Sequence, residues 1–360
     1  MAQSCPAGRH RRVTAMSGGG DVNRQQQGVP PISVPHIPVL LKEVVTALTP
    51  QAGEVMVDST FGAGGYSRAL LEAADCAVIA IDRDPDTKCH AESLAAEYGD
   101  RFSYLSGCFG DMQDLLAAPV DGITFDLGVS SMQLDESARG FSFMRDGPLD
   151  MRMSQDGLSA ADLLNEGTPE LLSDIIAVYG EERRARAIAK AIIARRESKP
   201  MARTGDLVDA VCSVLGAPRF GKVHPATRTF QALRIYLNDE LGELMRGLQA
   251  AEQVLKPGGR LAVVTFHSLE DRMVKQFLAS RTGRSGRPSR HLPDVDMARP
   301  SFADVAKRHV KAGEAEINAN PRARSGRLRV ALRTDAPAFA ANADLLPNRS
   351  PQQFSKREVT

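Results

Sequence analysis

The chain lacks a dominant charge: 45 Lys+Arg stand against 44 Asp+Glu, and a formal net charge of +1 selects no partner class by itself. It also lacks long apolar runs. No stretch approaches the ~18 residues of a membrane span, and the Arg-containing start has no apolar core of the kind a secretory signal peptide needs. A cytoplasmic protein without membrane association is the expectation. Cysteine is sparse and unpatterned: Cys5, Cys76, Cys89, Cys108 and Cys212 are odd in number and contain no Cys-x-x-Cys pair. The seven histidines are equally dispersed, and no His-x-x-x-His or His-Cys cluster offers metal-ligand spacing. Reduced thiols and no structural metal are therefore expected. What is present is ordinary for a globular protein, with 42% hydrophobic and 25% charged residues over 360 positions. That excludes global disorder, collagen and coiled coil, and the length suggests about two domains at ~100–200 residues each.

Residues 1–33 hold Gly18-Gly19-Gly20, Gln25-Gln26-Gln27 and Pro30-Pro31 with little to bury, so a disordered N-terminal extension is expected. Arg9, Arg11 and Arg12 leave a transit peptide as the sharper alternative, but an amphipathic apolar face is missing. From His36 onward short apolar runs alternate with helical patterns. Val55–Val57, Ala77–Ile81, Phe102–Leu105 and Gly122–Phe125 read as buried strands, with helices over Ser67–Ala74 and Asp86–Glu97 between them. Leu261–Phe266, after the turn Lys256-Pro257-Gly258-Gly259, and Leu328–Leu332 supply later strands. The alternation predicts a doubly wound parallel α/β sheet, split in sequence. Residues 136–225 between its halves have helical character. There Ala185, Ile188, Ala189, Ile192 and Ile193 form one apolar face, while Arg183, Arg184, Arg186, Lys190 and Arg195 occupy the rest. The expected organisation is a sheet domain over 34–135 and 226–334, an inserted helical subdomain over 136–225 with a basic outer surface, and a tail over 335–360.

Chemistry concentrates after successive strands. Asp58-Ser59-Thr60-Phe61-Gly62-Ala63-Gly64-Gly65-Tyr66 follows the first strand and opens a helix, where glycines permit a tight turn and close backbone approach to a ligand. A plain strand-to-helix turn is the bland alternative. The dinucleotide fingerprint Gly-x-Gly-x-x-Gly would need glycine where Ser67 stands. Asp82, twenty positions after Gly62, ends the second strand and suits a ribose diol; solvated charge beside Arg83 and Asp84 is the other reading. Phe109 can border an adenine or serve as an edge-of-core aromatic, and Asp126 ends the fourth strand ahead of Leu127-Gly128-Val129-Ser130-Ser131. Their joint placement on one sheet edge points to ligand binding.

These stretches, with His36–Leu41, Ala80–Pro85, Asp126–Asp135, Arg139–Met153, His224–Ala232 and Phe266–Asp271, resemble one family over nearly all of His36–Thr334. It is the bacterial small-subunit ribosomal RNA methyltransferase H family, S-adenosylmethionine-dependent enzymes that methylate cytosine N4. The resemblance implies a class I methyltransferase fold, S-adenosylmethionine as cofactor, and 16S ribosomal RNA in the small subunit as partner, at cytosine 1402 of the decoding region. It further implies that the methionine moiety and sulfonium sit over Gly64, Gly65 and Tyr66, that Asp82 holds the ribose, that Phe109 borders the adenine, and that Asp126 and Gln133 complete the pocket. Many relatives carry His where Tyr66 stands. No metal is implied, and a homodimer stays open.

Methylating an exocyclic amine requires its lone pair in line with the methyl–sulfonium bond, so positioning supplies much of the catalysis. The acid-or-amide-Pro-Pro-aromatic device common in amino-methyltransferases is absent. Our hypothesis assigns the accepting role to the Asp126 carboxylate or to a carbonyl of the Asp126–Ser131 loop, which includes Ser130. His267, beside Ser268, Glu270 and Asp271, either orients the nucleotide or that loop, or caps a strand end; a hydrolase triad is disfavoured without a Gly-x-Ser-x-Gly elbow. Arg139–Met153 reads equally as an RNA-contacting loop or a hinge. Basic residues gather in 181–203 and 279–333, where RNA contacts are expected. The rival classes are a nicotinamide-dependent oxidoreductase and a non-catalytic RNA-binding module, with a DNA amino-methyltransferase nearer in chemistry. A thermal-shift comparison separates the first: S-adenosylmethionine should raise the melting temperature where NAD does not, and the reverse would favour the oxidoreductase.

Overall fold

A computed structural model describes residues 38–284, 299–305 and 309–340. The expected extension over 1–33, His36 and Ile37 of the first matching stretch, and the tail beyond 340 lie outside the described residues. Eight strands form one sheet: β1 (Val55–Asp58), β2 (Ala77–Asp82), β3 (Phe102–Ser106), β4 (Val120–Asp126), β5 (Leu255–Thr265), β6 (Phe302–Asp304), β7 (Val310–Lys311) and β8 (Arg327–Arg333). Their order is β3-β2-β1-β4-β5-β8-β6, with β7 also pairing β8. The five central strands are parallel, and β8 enters antiparallel to β5 in the register Ala262↔Val330. This is the doubly wound class I arrangement, and the strand order reverses between β1 and β4, where open α/β sheets bind ligands beyond the strands' carboxyl ends.

The strands form because alternate residues feed two cores. Val57, Ile81, Ile123, Phe125 and Val263 face the helices Glu240–Val254 and Ser268–Arg281. Met56, Val78, Ala80, Ala262 and Val264 face the opposite layer, with Leu48, Leu70 and Leu94 from three other helices. A sheet buried on both sides reads as near-continuous apolar runs, as these do. Each fully buried Val, Leu, Ile or Phe contributes about 1.5–3 kcal/mol relative to exposure. The Lys256–Gly259 turn does not precede β5 but lies within it. Val120 pairs Leu255 and Gly122 pairs Arg260, so the intervening residues bulge out, with Gly258 at φ +83°.

Between β4 and β5 the helices Ala160–Glu166, Pro169–Gly180, Ala185–Ser198 and Thr204–Leu215 build a third core, shared by Phe230, Ala232 and Leu233 of the helix Thr227–Leu237. The apolar face predicted over 185–193 is the one that packs: Ala185, Ile188, Ala189 and Ile192 are buried. The basic outer surface is only partly so. Arg195 turns to Asp206 and Asp209 at 3.0 and 3.1 Å, and Arg196 donates to the carbonyls of Leu164 and Gly167 at 2.8 Å. Helix-end carbonyls and a buried carboxylate compete successfully with water for these guanidinium groups.

The far side of the sheet is tied by a buried ion pair. Arg281 Nε donates to Glu252 Oε2 at 3.0 Å, and Ser301 Oγ and Phe339 N donate to the other carboxylate oxygen. Removing one partner of such a pair leaves an uncompensated buried charge, at a cost of about 3–5 kcal/mol. Glu252→Ala should therefore lower the urea-unfolding free energy by about that amount, and a loss under about 1 kcal/mol would show that water reaches Arg281.

Candidate functional site

The loop after β1 is shaped by a carboxylate. Asp58 is fully buried, and its Oδ2 accepts from Ser67 N at 3.1 Å and Ser67 Oγ at 2.7 Å. Ser67 thus occupies the place of the third fingerprint glycine with a hydroxyl that serves the protein itself, which removes the support for a nicotinamide dinucleotide. Gly62 (φ +53°) turns its N–H onto Asp82 Oδ2 at 2.8 Å. Gly64 (φ +80°) is buried behind the loop, where a Cβ would meet the Phe61 ring at 2.8 Å, and on Gly65 a Cβ would stand 2.3 Å from Pro38. The two glycines are required by protein packing as well as by ligand approach.

Beyond the strand ends lies a cavity of about 350 Å³, within the range of small-molecule sites. Its walls include Gly65, Tyr66, Asp82, Phe109, Asp126, Ser130 and Gln133, but neither Gly64 nor His267. Tyr66 gives the cavity its ring, because its hydroxyl donates to the Val39 carbonyl. Phe109 lines the cavity and also meets Phe125 edge-on at 5.3 Å, as an edge-of-core aromatic does. Asp82 accepts the N–H groups of Gly62 and Asp84 at 2.8 and 2.9 Å, which positions its carboxylate at the end of β2.

Acidity defines the cavity. Asp126 Oδ1 is buried with no hydrogen-bond partner, while its backbone N–H donates to Thr60 Oγ1 at 2.7 Å. Burial, with Asp58 and Glu270 nearby, pushes the Asp126 pKa well above the usual carboxylate range. Burial likewise raises Asp82, against the two backbone donors, and raises Asp58 from 3.8 to about 6. Glu270 goes the other way: burial opposes its ionisation, but the adjacent His267 ring and Arg234 outweigh it and hold its pKa low.

Ser130 and Gln133 are joined before any ligand arrives. Ser130 Oγ accepts from Gln133 N and Gln133 Oε1 from Ser130 N, a reciprocal cap on the short helix Ser131–Asp135. Gln133 Nε2 then donates to Asp84 Oδ2 at 2.7 Å. Asp84 is not solvated charge. It is 2% exposed and pairs at 3.0 Å with Arg139, which also donates to the carbonyls of Arg152 and Met153. Arg139 is thereby a hinge pin, and Arg152 is held by Asp150 at 2.7 Å. Asp84 caps the turn begun by Pro85, an Asp-Pro start signal present in the sequence.

His267 caps the helix Ser268–Arg281 rather than the preceding strand. Its Nδ1 accepts from Glu270 N at 3.4 Å and its Nε2 lies 3.0 Å from Glu270 Oε1, while the Ser268 hydroxyl donates to Glu181. No nucleophile–base pair exists there. Sequence reasoning missed Arg234, Glu240 and Glu243, which line the cavity from helices that follow the insertion. Ligand atoms of Glu240, His267 and Glu270 lie within 4.8 Å of one another, but Arg234 already holds both Glu240 oxygens at 2.7 and 2.9 Å.

The basic segments are largely engaged. Arg327 and Arg329 pair with Asp271, Arg284 with Asp304, Arg299 with Asp335, and Arg322 with Asp135. Arg287, Arg290, Lys307 and Arg308 lie outside the described residues. Among those described, no helix is long and apolar enough to cross a membrane.

Residues 33–334 match the profile of the MraW methylase family. The chain belongs to that family. A relative in Parvibaculum lavamentivorans, named ribosomal RNA small subunit methyltransferase H, is 56% identical over 309 residues, 85% of this chain and 91% of its own. The protein of that name in Rhodospirillum rubrum is 55% identical over 317 residues, 86% of this chain and 97% of its own. A crystal structure of an rRNA methylase from Streptococcus thermophilus covers 82% of this chain and 94% of its own at 9% identity. Its TM-score of 0.37 is too low to bear on the fold, which rests on the strand order.

The folded chain binds the Asp58 proton more tightly than the unfolded chain between pH 3.8 and about 6. Asp58 therefore contributes most below the lower value, and that contribution is lost as pH rises through the upper one, by on the order of 3 kcal/mol. Asp58→Asn should flatten this fall in urea-unfolding free energy across the interval. Parallel profiles for the two proteins would show that Asp58 ionises freely.

Proposed function

We propose that this protein transfers a methyl group from S-adenosylmethionine to the exocyclic N4 of a cytidine in small-subunit ribosomal RNA, cytosine 1402 of the decoding region. The observation that carries the reading is Asp126, whose buried, unpartnered Oδ1 faces a cavity with Asp58, Asp82 and Glu270 around it. The lining sets the carboxyl groups of Asp82, Asp126, Glu240, Glu243 and Glu270 against the guanidinium groups of Arg83, Arg234 and Arg322, and Asp126 Oδ1 has no partner among them, which suits a ligand that brings its own positive charge, as a sulfonium does. Family membership and the names of the relatives support the same reaction class. A cytoplasmic location follows from that substrate.

The residues present fit the cofactor. Among the residues that line the cavity, Gly65 and the Tyr66 ring would wall the methionine end, Asp82 would accept from the ribose, and Phe109 would border the adenine. Gln133 holds the Ser130 loop and Asp84 in place rather than offering a free amide. When bound, the cofactor supplies a methyl group on a positively charged sulfur. Transfer of that methyl group to N4 would leave the amine with one proton too many. Asp126 accepts hydrogen bonds from the amine, aims its lone pair and draws off the proton directly or through water. Exclusion of water by Phe109, Leu127 and Phe266 strengthens each of these interactions.

Incubation with labelled cofactor and small subunits lacking the modification should place the label on N4 of a single cytidine. Absence of transfer to cytidine N4 would overturn the proposal. Asp126→Ala should slow single-turnover transfer at saturating cofactor by about 100-fold or more, read separately from cofactor affinity. A wild-type rate in a folded variant would remove Asp126 from the chemistry.

A further inference from the structure

Many of the basic residues expected to meet RNA already hold a carboxylate or a carbonyl although most stay exposed, so the question is what stands beside the cations that remain free. Phe220 is fully exposed, at 107%, and Val223 and Met144 are exposed at 78% and 81%. Phe220 lies between Arg219 and Lys222, whose side chains have no hydrogen bond or ion pair among the described residues. Between Asp209 and Asp239 the chain contains no acidic residue, while Arg219, Lys222, Arg228 and Arg234 are basic. An exposed aromatic between unpaired cations is poorly suited to water and well suited to a polyanion that carries flat apolar rings.

Two loops make up this face. The loop of Phe220 is joined to that of Met144 by the stack of His224 on Phe143, with ring centroids 4.5 Å apart at 28°, and Phe143 in turn rests on Phe230. The Met144 loop is anchored: Asp146 pairs with Arg203 and accepts from Gly205 N at 3.0 Å, leaving Met144 and Arg145 at the exposed tip. Arg145 reaches back to the Asp135 carbonyl at 3.3 Å, at the end of the short helix whose Ser131, Met132, Gln133 and Leu134 line the cavity. The face is therefore continuous with the rim of the candidate site.

We propose that Phe220, flanked by Arg219 and Lys222 on a loop joined through His224 and Phe143 to that of Met144 and Arg145, is a stacking platform for an unpaired nucleotide neighbouring the one methylated. The proposal rests on the ribosomal RNA reading above and adds how the strand is held. Stacking is open to any base, so the platform supplies affinity and strand register, while recognition of the target base stays in the cavity. Single-stranded RNA fits because its bases are free to splay onto a ring; in duplex RNA they are already stacked on each other.

The test measures binding of a fluorescent, unstructured 20-nucleotide RNA and of the matching duplex, and in parallel methyl transfer to unmodified small subunits. Phe220→Ala should weaken single-strand binding about tenfold and raise KM for subunits similarly, with kcat and cofactor affinity unchanged. Phe220→Trp should restore both. Arg219→Ala with Lys222→Ala should flatten the salt dependence of RNA binding by about 1.4 logarithmic units per tenfold change in salt. Equal binding by wild type and Phe220→Ala overturns the platform even if transfer to cytidine is confirmed. Loss of single-strand affinity in Phe220→Ala upholds it even if no methyl group is transferred. A raised KM for subunits without any change in RNA binding would mean that this face meets a ribosomal protein, and would also overturn it.

Discussion

Buried carboxyl groups at the ends of parallel strands are the constraint on which the rest of this structure depends. β1, β2 and β4 each end on an aspartate, and the register Asp58↔Thr124 and Asp58↔Ala80 brings all three to one sheet edge. Like charges removed from water raise one another's pKa. The fold relieves two of them with internal donors, the Ser67 hydroxyl for Asp58 and backbone N–H groups for Asp82. Asp126 Oδ1 receives none. A native fold tolerates such an unpaired group where a ligand completes it, and the family to which the chain belongs gives that ligand its class.

The surroundings keep that edge in shape. Asp84, one step beyond Asp82, draws in Gln133 and Arg139, and through Arg139 the carbonyls of Arg152 and Met153. One buried carboxylate thus links the cofactor edge of the sheet to the loop that leads into the helical insertion. On the other side Glu270 fixes His267 and the end of β5 by accepting the N–H groups of Phe266 and His267. The insertion then carries its free cations and its exposed aromatic outward, next to the cavity rim and not within it.

The central strands were legible because short continuous apolar runs rich in valine and isoleucine follow from burial on both sides of a parallel sheet. Asp82 and Asp126 were legible because glycine spacing and strand ends place them without knowledge of distant contacts. Asp84 and Arg139 were not, since an acid after Asp82-Arg83 has the same local pattern whether solvated or paired with a residue far along the chain. Arg195 misled for a similar reason: helical periodicity gives the face of a side chain but not the carboxylates that lie across from it, here Asp206 and Asp209. Arg234 and Glu240 reach the cavity only because the helices after the insertion return to the sheet, and no local pattern signals that return.

The account turns on whether the cavity's carboxyl groups await a cation. Isothermal titration calorimetry of S-adenosylmethionine binding near pH 6.5, in buffers of different ionisation enthalpy, measures the protons exchanged. A positively charged sulfur beside Asp126 should drive its ionisation, so the account predicts net proton release with S-adenosylmethionine, less with the neutral sulfur of S-adenosylhomocysteine, and less again in Asp126→Asn. Proton uptake, or the same exchange for both ligands and both proteins, would contradict it.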